Sequence, residues 1–346
     1  PTPLAIKTGQ EALRPAFSPS SDTPKLRGWG VLPLSTHETY LYPIPGSKSL
    51  TQRALWLGAL GQGPFTVSGG LLSEDTYALV ACLRTLGWKV EVEEGKPAAA
   101  AQHPQEKIDE AHLKTPPLGP LFRIQGSGGA IPTDQADLYL GESGTLARFL
   151  LPLLCLRAGG QYRLRGGPSL QKRPLGALVK SLESSGCATV RYGGAAGHLP
   201  LELHTQGLAG RHIMLEGVDQ SSQGLSGLLL AAPFSQGPVQ ISYAPAESVS
   251  RTYIELTLAL LAHLGYPFEV QEEGRLRHYY YPGPSPVTFK PQASPCYTVE
   301  ADLSSASYAL GLALSCRGAC IALEGQFPTP PQSGEQKERL THPFAH

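Results

Sequence analysis

A hydroxyl-rich helix start leads directly into an apolar helix at Ser47-Lys48-Ser49-Leu50-Thr51-Gln52-Arg53-Ala54-Leu55-Trp56-Leu57. Serine and threonine cap helix starts because their side-chain oxygens accept hydrogen bonds from main-chain N–H groups that lack a partner in the helix. The helix body is apolar on nearly all sides, which is typical of a buried helix. A glycine and a short β-rich run, Pro64-Phe65-Thr66-Val67, follow it. The segment therefore predicts a helix and a strand that share one core.

The same design recurs at Ser143, Ser221 and Ser304, at intervals of roughly 80–100 residues, which are longer than the ~20–50 residues of a solenoid repeat. A second type of helix follows three of the four starts, and each ends at a glycine before a β-rich run: 74–86, 172–184 and 252–264. Helix, glycine and strand in succession are typical of an αβ unit. We therefore predict an α/β (α+β) fold built from repeated βαβαββ units.

The fourth repeat is incomplete, because after Leu323 no second helix with a following glycine and strand appears. We predict a complete lobe of three units at 46–296, and a partial second lobe formed by 1–45 together with 297–346. The polar, proline-rich C-terminal tail is predicted to be disordered, and 98–120 to form a surface loop. The helix at 304–316 is expected to be poorly buried, because its lobe is incomplete.

Composition excludes several classes of protein. The 346 residues carry 28 Lys plus Arg and 28 Asp plus Glu, and this balance argues against a nucleic-acid-binding protein. No apolar run reaches the ~18–20 residues that span a bilayer, and the first residues lack a signal-peptide core. Six cysteines without a CxxC pair are typical of a reduced cytoplasmic protein with buried thiols. We expect no metal site, since Cys316 and Cys320 have no nearby histidine.

Residues 45–53 carry the strongest chemical signal. Free N–H groups at a helix start, two hydroxyls, Lys48 and Arg53 meet there, and this combination is typical of an anion-binding site. The alternative is an ordinary capped helix with two solvated cations.

Four further helix starts carry residues compatible with anions, and their recurrence is more informative than any one of them. Each also has a plain alternative: tight turns for the glycines, solvated cations for the basic pair, and simple capping for the serines. The starts are Gly141-Glu142-Ser143-Gly144-Thr145 with Arg148, Gln171-Lys172-Arg173-Pro174, Ser221-Ser222-Gln223, and Glu247-Ser248-Val249-Ser250-Arg251-Thr252-Tyr253.

Taken together and in this order, the motifs resemble the 5-enolpyruvylshikimate-3-phosphate synthase family from about Tyr42 to Leu323. The resemblance rests on the Gly-Ser-Lys-Ser segment with Arg53, the loop at 140–145, Lys172-Arg173-Pro174, Ser221-Ser222-Gln223, Ser250 with Tyr253, and 300–308. The related UDP-N-acetylglucosamine enolpyruvyl transferases lack the Gly-Ser-Lys-Ser segment and fit less well.

The resemblance implies an enolpyruvyl transferase fold of two lobes, with six βαβαββ units, that closes over its substrates. It implies transfer of the enolpyruvyl group of phosphoenolpyruvate to the 5-hydroxyl of shikimate 3-phosphate by a monomer that needs no metal or organic cofactor. Lys48 would touch both substrates and take part in proton transfer. The other implied shikimate 3-phosphate contacts are Ser49, Arg53, Ser221, Ser222, Gln223, Ser250 and Tyr253. Phosphoenolpyruvate would also be held by Gly144, Arg173 and Gln223.

Two departures from the family pattern affect the expected activity. Glu142 replaces the usual asparagine, and its carboxylate would repel a bound anion unless it pairs with a cation such as Arg148. The C-terminal part of the family, which supplies an acidic base, a glutamate acid and further cations, has no counterpart after Leu323. Two hypotheses follow: an active transferase, or a truncated or degenerate homologue that binds shikimate 3-phosphate without turnover.

Overall fold

The computed structural model describes residues 39–95, 119–215, 222–244, 251–283, 296–315 and 320–325. Its helices are α1 (Lys48–Leu60), α2 (Glu74–Thr85), α3 (Gly144–Leu154), α4 (Pro168–Gln171), α5 (Gly176–Ser184), α6 (Gln223–Ala231), α7 (Thr252–His263) and α8 (Leu303–Ser315). A short 3-10 helix, Ala232–Phe234, extends α6. The strands are β1 (Thr39–Pro43), β2 (Gln62–Ser68), β3 (Val90–Glu93), β4 (Leu121–Ser127), β5 (Gln135–Tyr139), β6 (Ala158–Arg165), β7 (Ala188–Tyr192), β8 (Leu201–Gln206), β9 (His212–Leu215), β10 (Val239–Tyr243), β11 (Glu269–Glu273), β12 (Leu276–Tyr281), β13 (Cys296–Thr298) and β14 (Cys320–Glu324).

Three four-stranded sheets share one topology, which confirms the predicted repeat. In the second unit the order is β5-β6-β8-β7, where β5 runs parallel to β6 and the other neighbours are antiparallel. The third unit has the same arrangement as β9-β10-β12-β11. In each of these units helices connect the first three strands, and a direct connection joins the last two.

The first sheet takes its parallel edge strand from a distant part of the chain. Its order is β13-β2-β4-β3, so Cys296–Thr298 fills the place that β5 and β9 fill in the other sheets. β1, which precedes α1, instead pairs in parallel with β14. Sequence repeats did not reveal this exchange, because both candidate strands precede a repeat helix.

The exchange brings two connections side by side, just before α1 and just before α8. Ser47 N donates to Glu300 O at 2.8 Å, and Asp302 N donates to Pro45 O at 2.8 Å. Gly46 and Ala301 form an isolated antiparallel bridge between them. The start of α1 is therefore fixed against the start of α8.

The first helices of the three sheet-forming units, α1, α3 and α6, form the centre of the main hydrophobic core. α3 is buried at every residue except Thr145, and α6 at every residue except Gln223. A second, smaller hydrophobic cluster consists of Ile44, Ala301 and Ala306. Burial on all sides explains why these helices carry almost no charged residues.

Two predictions about individual segments can be compared with the structure. The helix predicted at 172–184 is wrong in its first turn: α4 ends before Lys172, α5 begins at Gly176, and Lys172-Arg173-Pro174 lies between them. α8 buries only Ala306 and Ala309, in keeping with the expected poor burial. The division at 46–296 stays a prediction, and the C-terminal tail and most of the 98–120 loop lie outside the described residues.

Candidate functional site

The start of α1 borders a cavity of about 160 Å³. Ser47 caps the helix, with its Oγ 3.4 Å from the N–H of Leu50, and its carbonyl accepts from Thr51 Oγ1 at 2.8 Å. The cavity lining combines this helix start with α7, the connection before α8 and the first turn of α8: Ser47, Lys48, Ser49, Leu50, Tyr253, Leu256, Ala301, Asp302, Leu303 and Ser304. Three residues named from sequence, Lys48, Ser49 and Tyr253, thus share one cavity.

Lys48 lines this cavity and forms an ion pair. Its Nζ is 3.3 Å from Asp75 Oδ2, and about half of the lysine side chain is exposed. Asp75 belongs to the first turn of α2, where a carboxylate also interacts favourably with the helix dipole. Sequence reasoning missed Asp75, which stands beside no recognisable basic motif. It included Asp302 in the family segment at 300–308 but gave it no role at the site.

Arg53 lies one turn further along α1 and is buried, with only 2% of its surface exposed. Its Nε donates to Thr257 Oγ1 at 2.8 Å, and its Nη2 donates to Ser226 Oγ at 3.2 Å. Nη1 donates to the carbonyl of Ser49 at 3.0 Å, and Nη2 also approaches the carbonyl of Tyr253 at 3.5 Å. The guanidinium therefore ties α1 to α6 and α7.

The charge of Arg53 meets only uncharged partners among the hydrogen bonds of the described residues. Its guanidinium carbon lies 5.0 Å from the centroid of the Phe149 ring, which adds a cation–π contact. Burial lowers the pKa of Arg53 to about 10, opposed in part by a weaker effect of Tyr253. A cation held by neutral groups inside a protein favours the binding of an anion.

Two more guanidinium groups lie over the start of α3. A methyl group at Gly144 would come within 2.9 Å of Arg173 Nη1 and 3.1 Å of Arg148 Nη1. Arg148 is held in place, because it donates to the carbonyls of Gly144 at 3.2 Å and Pro174 at 2.8 Å. Gly144 thus leaves room for two cations next to the free N–H groups of a helix start, as an anion site requires.

Glu142 has a different role from the expected partnership with Arg148. Its carboxylate accepts from the N–H of Leu170 at 2.6 Å and lies 3.4 Å from the N–H of Ser169. These N–H groups lie in the first turn of α4, so Glu142 caps that helix with a favourable charge. The sequence alone suggested a cation as its partner because α4 was not predicted.

The start of α6 meets the start of α3 through Gln223. Its Nε2 donates to Thr145 Oγ1 at 2.9 Å. Ser222 precedes α6 and is buried, while Tyr253 is partly exposed in the first turn of α7. Ser221 and Ser250 lie outside the described residues, so their positions stay predictions.

Comparison with known proteins identifies the family of this chain. The family model of EPSP synthase (3-phosphoshikimate 1-carboxyvinyltransferase) matches residues 41–115 and 119–340. The chain belongs to the EPSP synthase family.

The part of the chain that the structure describes contains no helix able to cross a membrane. Within the same residues no group of three or more His, Cys, Asp or Glu could hold a metal ion.

Curated relatives named 3-phosphoshikimate 1-carboxyvinyltransferase are about a third identical to this chain over the aligned residues. The protein from Nostoc sp. is 36% identical over 265 residues, which are 77% of this chain and 54% of the relative. The protein from Opitutus terrae is 35% identical over 298 residues, covering 85% of this chain and 60% of the relative. The chain therefore spans little more than half the length of the curated relatives that it matches.

A solved EPSP synthase structure from Acinetobacter baumannii has the same fold. It superposes with a TM-score of 0.59 at 26% identity, and covers 84% of this chain and 56% of that one. The predicted α/β enolpyruvyl transferase fold is thereby confirmed.

Proposed function

We propose that this chain takes part in the transfer of the enolpyruvyl group from phosphoenolpyruvate to the 5-hydroxyl of shikimate 3-phosphate. The products are 5-enolpyruvylshikimate 3-phosphate and inorganic phosphate, as required for chorismate and aromatic amino acid biosynthesis. The observation that carries the proposal is a set of contacts between the helix starts. Arg53 of α1 donates to Ser226 of α6, and Gln223 of α6 donates to Thr145 of α3. Arg148 and Arg173 approach Gly144 at the start of α3. Both substrates are polyanions, and helix starts that carry buried or closely held arginines suit them.

Each substrate has a proposed set of contacts. Shikimate 3-phosphate would be bound by Lys48, Ser49, Arg53, Ser221, Ser222, Gln223, Ser250 and Tyr253. Phosphoenolpyruvate would be bound by Lys48, Gly144, Arg173 and Gln223. Support comes from the cavity shared by Lys48, Ser49 and Tyr253, and from the contact of Gln223 with the α3 start.

The chemistry is an addition followed by an elimination. The 5-oxygen bonds to the central carbon of phosphoenolpyruvate as its proton is removed, and a proton is delivered to the methylene carbon. Loss of phosphate and of one proton from the resulting methyl group then restores the double bond. Lys48 would take part in these proton transfers, while the arginines position the anions and stabilise developing charge.

The proposal includes a monomer in the cytoplasm that uses no nucleic acid, metal or organic cofactor. The zero net charge and the buried thiols of Cys82, Cys155 and Cys187 support that setting. The alternative to this proposal is binding of shikimate 3-phosphate without turnover.

Phosphate release in the presence of both substrates tests the proposal. We expect release that depends on both substrates and falls at least about tenfold in Arg53→Gln and Arg173→Gln. Arg191→Gln is the control, since Arg191 is exposed on β7. Calorimetry with shikimate 3-phosphate separates the alternatives: binding without phosphate release favours the non-catalytic homologue, and absence of binding contradicts both.

A further inference from the structure

The guanidinium of Arg53 has one side, formed by Nε and Nη2, that is suited to bidentate hydrogen bonds with a carboxylate. Nε and Nη2 form a fork of parallel N–H groups that matches the two oxygens of Asp or Glu. Here the fork meets two hydroxyl oxygens instead: Thr257 Oγ1 lies 2.8 Å from Nε, and Ser226 Oγ lies 3.2 Å from Nη2. Both hydroxyl residues are fully buried.

The two hydroxyls are themselves fixed. Thr257 Oγ1 donates to the carbonyl of Tyr253 at 2.7 Å and lies 3.1 Å from Ser226 Oγ. Thr257 therefore has a defined orientation in which its oxygen lone pairs face the guanidinium, and Ser226 Oγ accepts from the guanidinium beside it. Because Ser226 belongs to α6 and Thr257 to α7, the direction of the Arg53 fork depends on how these helices pack against α1.

Neutral partners leave the positive charge of Arg53 uncompensated. A carboxylate at the same place would orient the fork equally well, but it would cancel the charge that attracts an anion. Arg53 has five N–H groups, and among the described residues the second N–H of Nη1 has no acceptor. Nη1 is also the nitrogen that contacts the carbonyl of Ser49, a residue of the cavity lining.

We infer that Thr257 and Ser226 are positioning residues that orient Arg53 without neutralising it, so that its charge remains available to an anionic substrate. The inference rests on the proposed function, and the substrate concerned is shikimate 3-phosphate. Neither residue is expected to touch that substrate.

Four variants test the inference through calorimetric binding of shikimate 3-phosphate to the full chain. Ser226→Asp places a carboxylate at the fork, so we expect binding to weaken at least about tenfold while the melting temperature is kept or raised. Thr257→Val keeps the side-chain shape but removes the hydroxyl, and we expect a similar loss of binding. Thr257→Ser retains the hydroxyl and should bind like the wild type. Ser181→Ala is the matched control, because Ser181 is a buried helical serine whose hydroxyl donates to the Ala177 carbonyl.

The outcomes separate the inference from the proposed function. Wild-type affinity in both Ser226→Asp and Thr257→Val would overturn the inference and leave the proposed function intact. Loss of binding that occurs in both variants only together with loss of the folded circular dichroism spectrum would show a merely structural role and overturn it as well. A wild-type chain that binds no shikimate 3-phosphate would overturn both.

Discussion

Gly144 shows how the absence of a single side chain shapes the α3 start. The guanidinium groups of Arg148 and Arg173 approach the space that a β-carbon would occupy, at 3.1 and 2.9 Å. Arg148 is tied to two carbonyls, whereas Arg173 is exposed in the turn after α4. A larger residue at position 144 would therefore displace Arg173 first.

We predict that Gly144→Ala weakens phosphoenolpyruvate binding about tenfold or more, since displacement of Arg173 would remove a hydrogen bond from a charged group to the ligand. Stability should be unchanged or slightly raised, because alanine favours helix. Fluorescence or calorimetric titration with phosphoenolpyruvate measures the change. Gly176→Ala is the matched control, as Gly176 begins α5 and its β-carbon would meet only Gly197 Cα at 3.5 Å. Unchanged phosphoenolpyruvate affinity in Gly144→Ala would contradict the prediction.

At the scale of elements, α3 and α6 pack unusually close at one point. Pro152 lies inside α3 and has no N–H to donate to the Arg148 carbonyl one turn earlier. Gly227 of α6 fits against that carbonyl, since a β-carbon there would lie 2.6 Å from Arg148 O and 3.0 Å from Phe149 Cα. The neighbouring atoms are main-chain atoms of α3 and the ring of Pro152, so no flexible side chain can move aside.

Gly227→Ala is therefore expected to lower the free energy of unfolding by about 2–3 kcal/mol, despite the better helix propensity of alanine. Gly224→Ala, one turn earlier in α6, provides the comparison. A β-carbon there would meet only Leu178 side-chain atoms at 3.7–3.9 Å. The free energy of unfolding of Gly224→Ala should therefore rise by up to about 1 kcal/mol. Urea unfolding of both proteins tests the pair, and equal midpoints would refute the close-packing argument.

α8 differs from the other repeat helices because it buries only Ala306 and Ala309 and exposes three large apolar side chains. Tyr308 is 77%, Leu310 52% and Leu314 88% exposed, while α3 is buried almost throughout. Helices of this length depend on packing for most of their stability.

We predict that the amides of α8 exchange with solvent through local opening, orders of magnitude faster than those of α3. Hydrogen–deuterium exchange of the full chain, followed by mass spectrometry, compares peptides from the two helices directly. Protection of α8 equal to that of α3 would show that another part of the protein covers it.

For the whole molecule, alkaline pH acts on the core through buried acids that are neutral in the folded state. Burial raises the pKa of Cys82 from 9.0 to about 12, and those of Tyr162 and Tyr281 from 10.0 to about 12. In the unfolded chain these groups lose their protons near their ordinary pKa values, which favours unfolding at high pH. Arg53 has the opposite effect on the free energy of unfolding. Its folded-state pKa is about 10, below the ordinary value of 12.5, so its contribution to stability rises with pH only near and above pH 10.

The thiol and the two phenols should therefore leave the free energy of unfolding unchanged below about pH 8. They should lower it as the pH rises from about 9 towards 12. Each group contributes a slope of up to about 1.4 kcal/mol per pH unit within its window. Urea unfolding at intervals across this range measures the decline. Tyr281→Phe removes one titrating phenol and should make the slope shallower, whereas an identical slope would exclude Tyr281 as a contributor.

Much of the architecture was predictable from sequence because it depends on local signals. Capping serines, glycines after helices and apolar helix bodies are properties of adjacent residues, and they gave the βαβαββ repeat. They also drew attention to Lys48, Arg53, Gly144 and Gln223. The extra helix α4 was missed because it is a single turn, too short for a periodic pattern.

Other features were decided by contacts between distant residues. The strand exchange between β1 and β13 depends on which strand reaches the edge of β2, and no local pattern encodes that choice. The hydroxyl partners of Arg53 lie 173 and 204 residues away along the chain. From sequence, Glu142 was expected to repel an anion unless a cation paired with it. In the structure it caps α4, a helix that the sequence did not predict.

By itself the sequence determined the repeated unit, the family and the set of helix starts that carry basic and hydroxyl side chains. Only the tertiary structure decided how those charges are used: Lys48 pairs with Asp75, while Arg53 is surrounded by neutral oxygens. The physical reason is that capping and helix propensity act over a few residues. Whether a cation is neutralised depends instead on which groups the packing of α1, α6 and α7 brings within hydrogen-bonding distance.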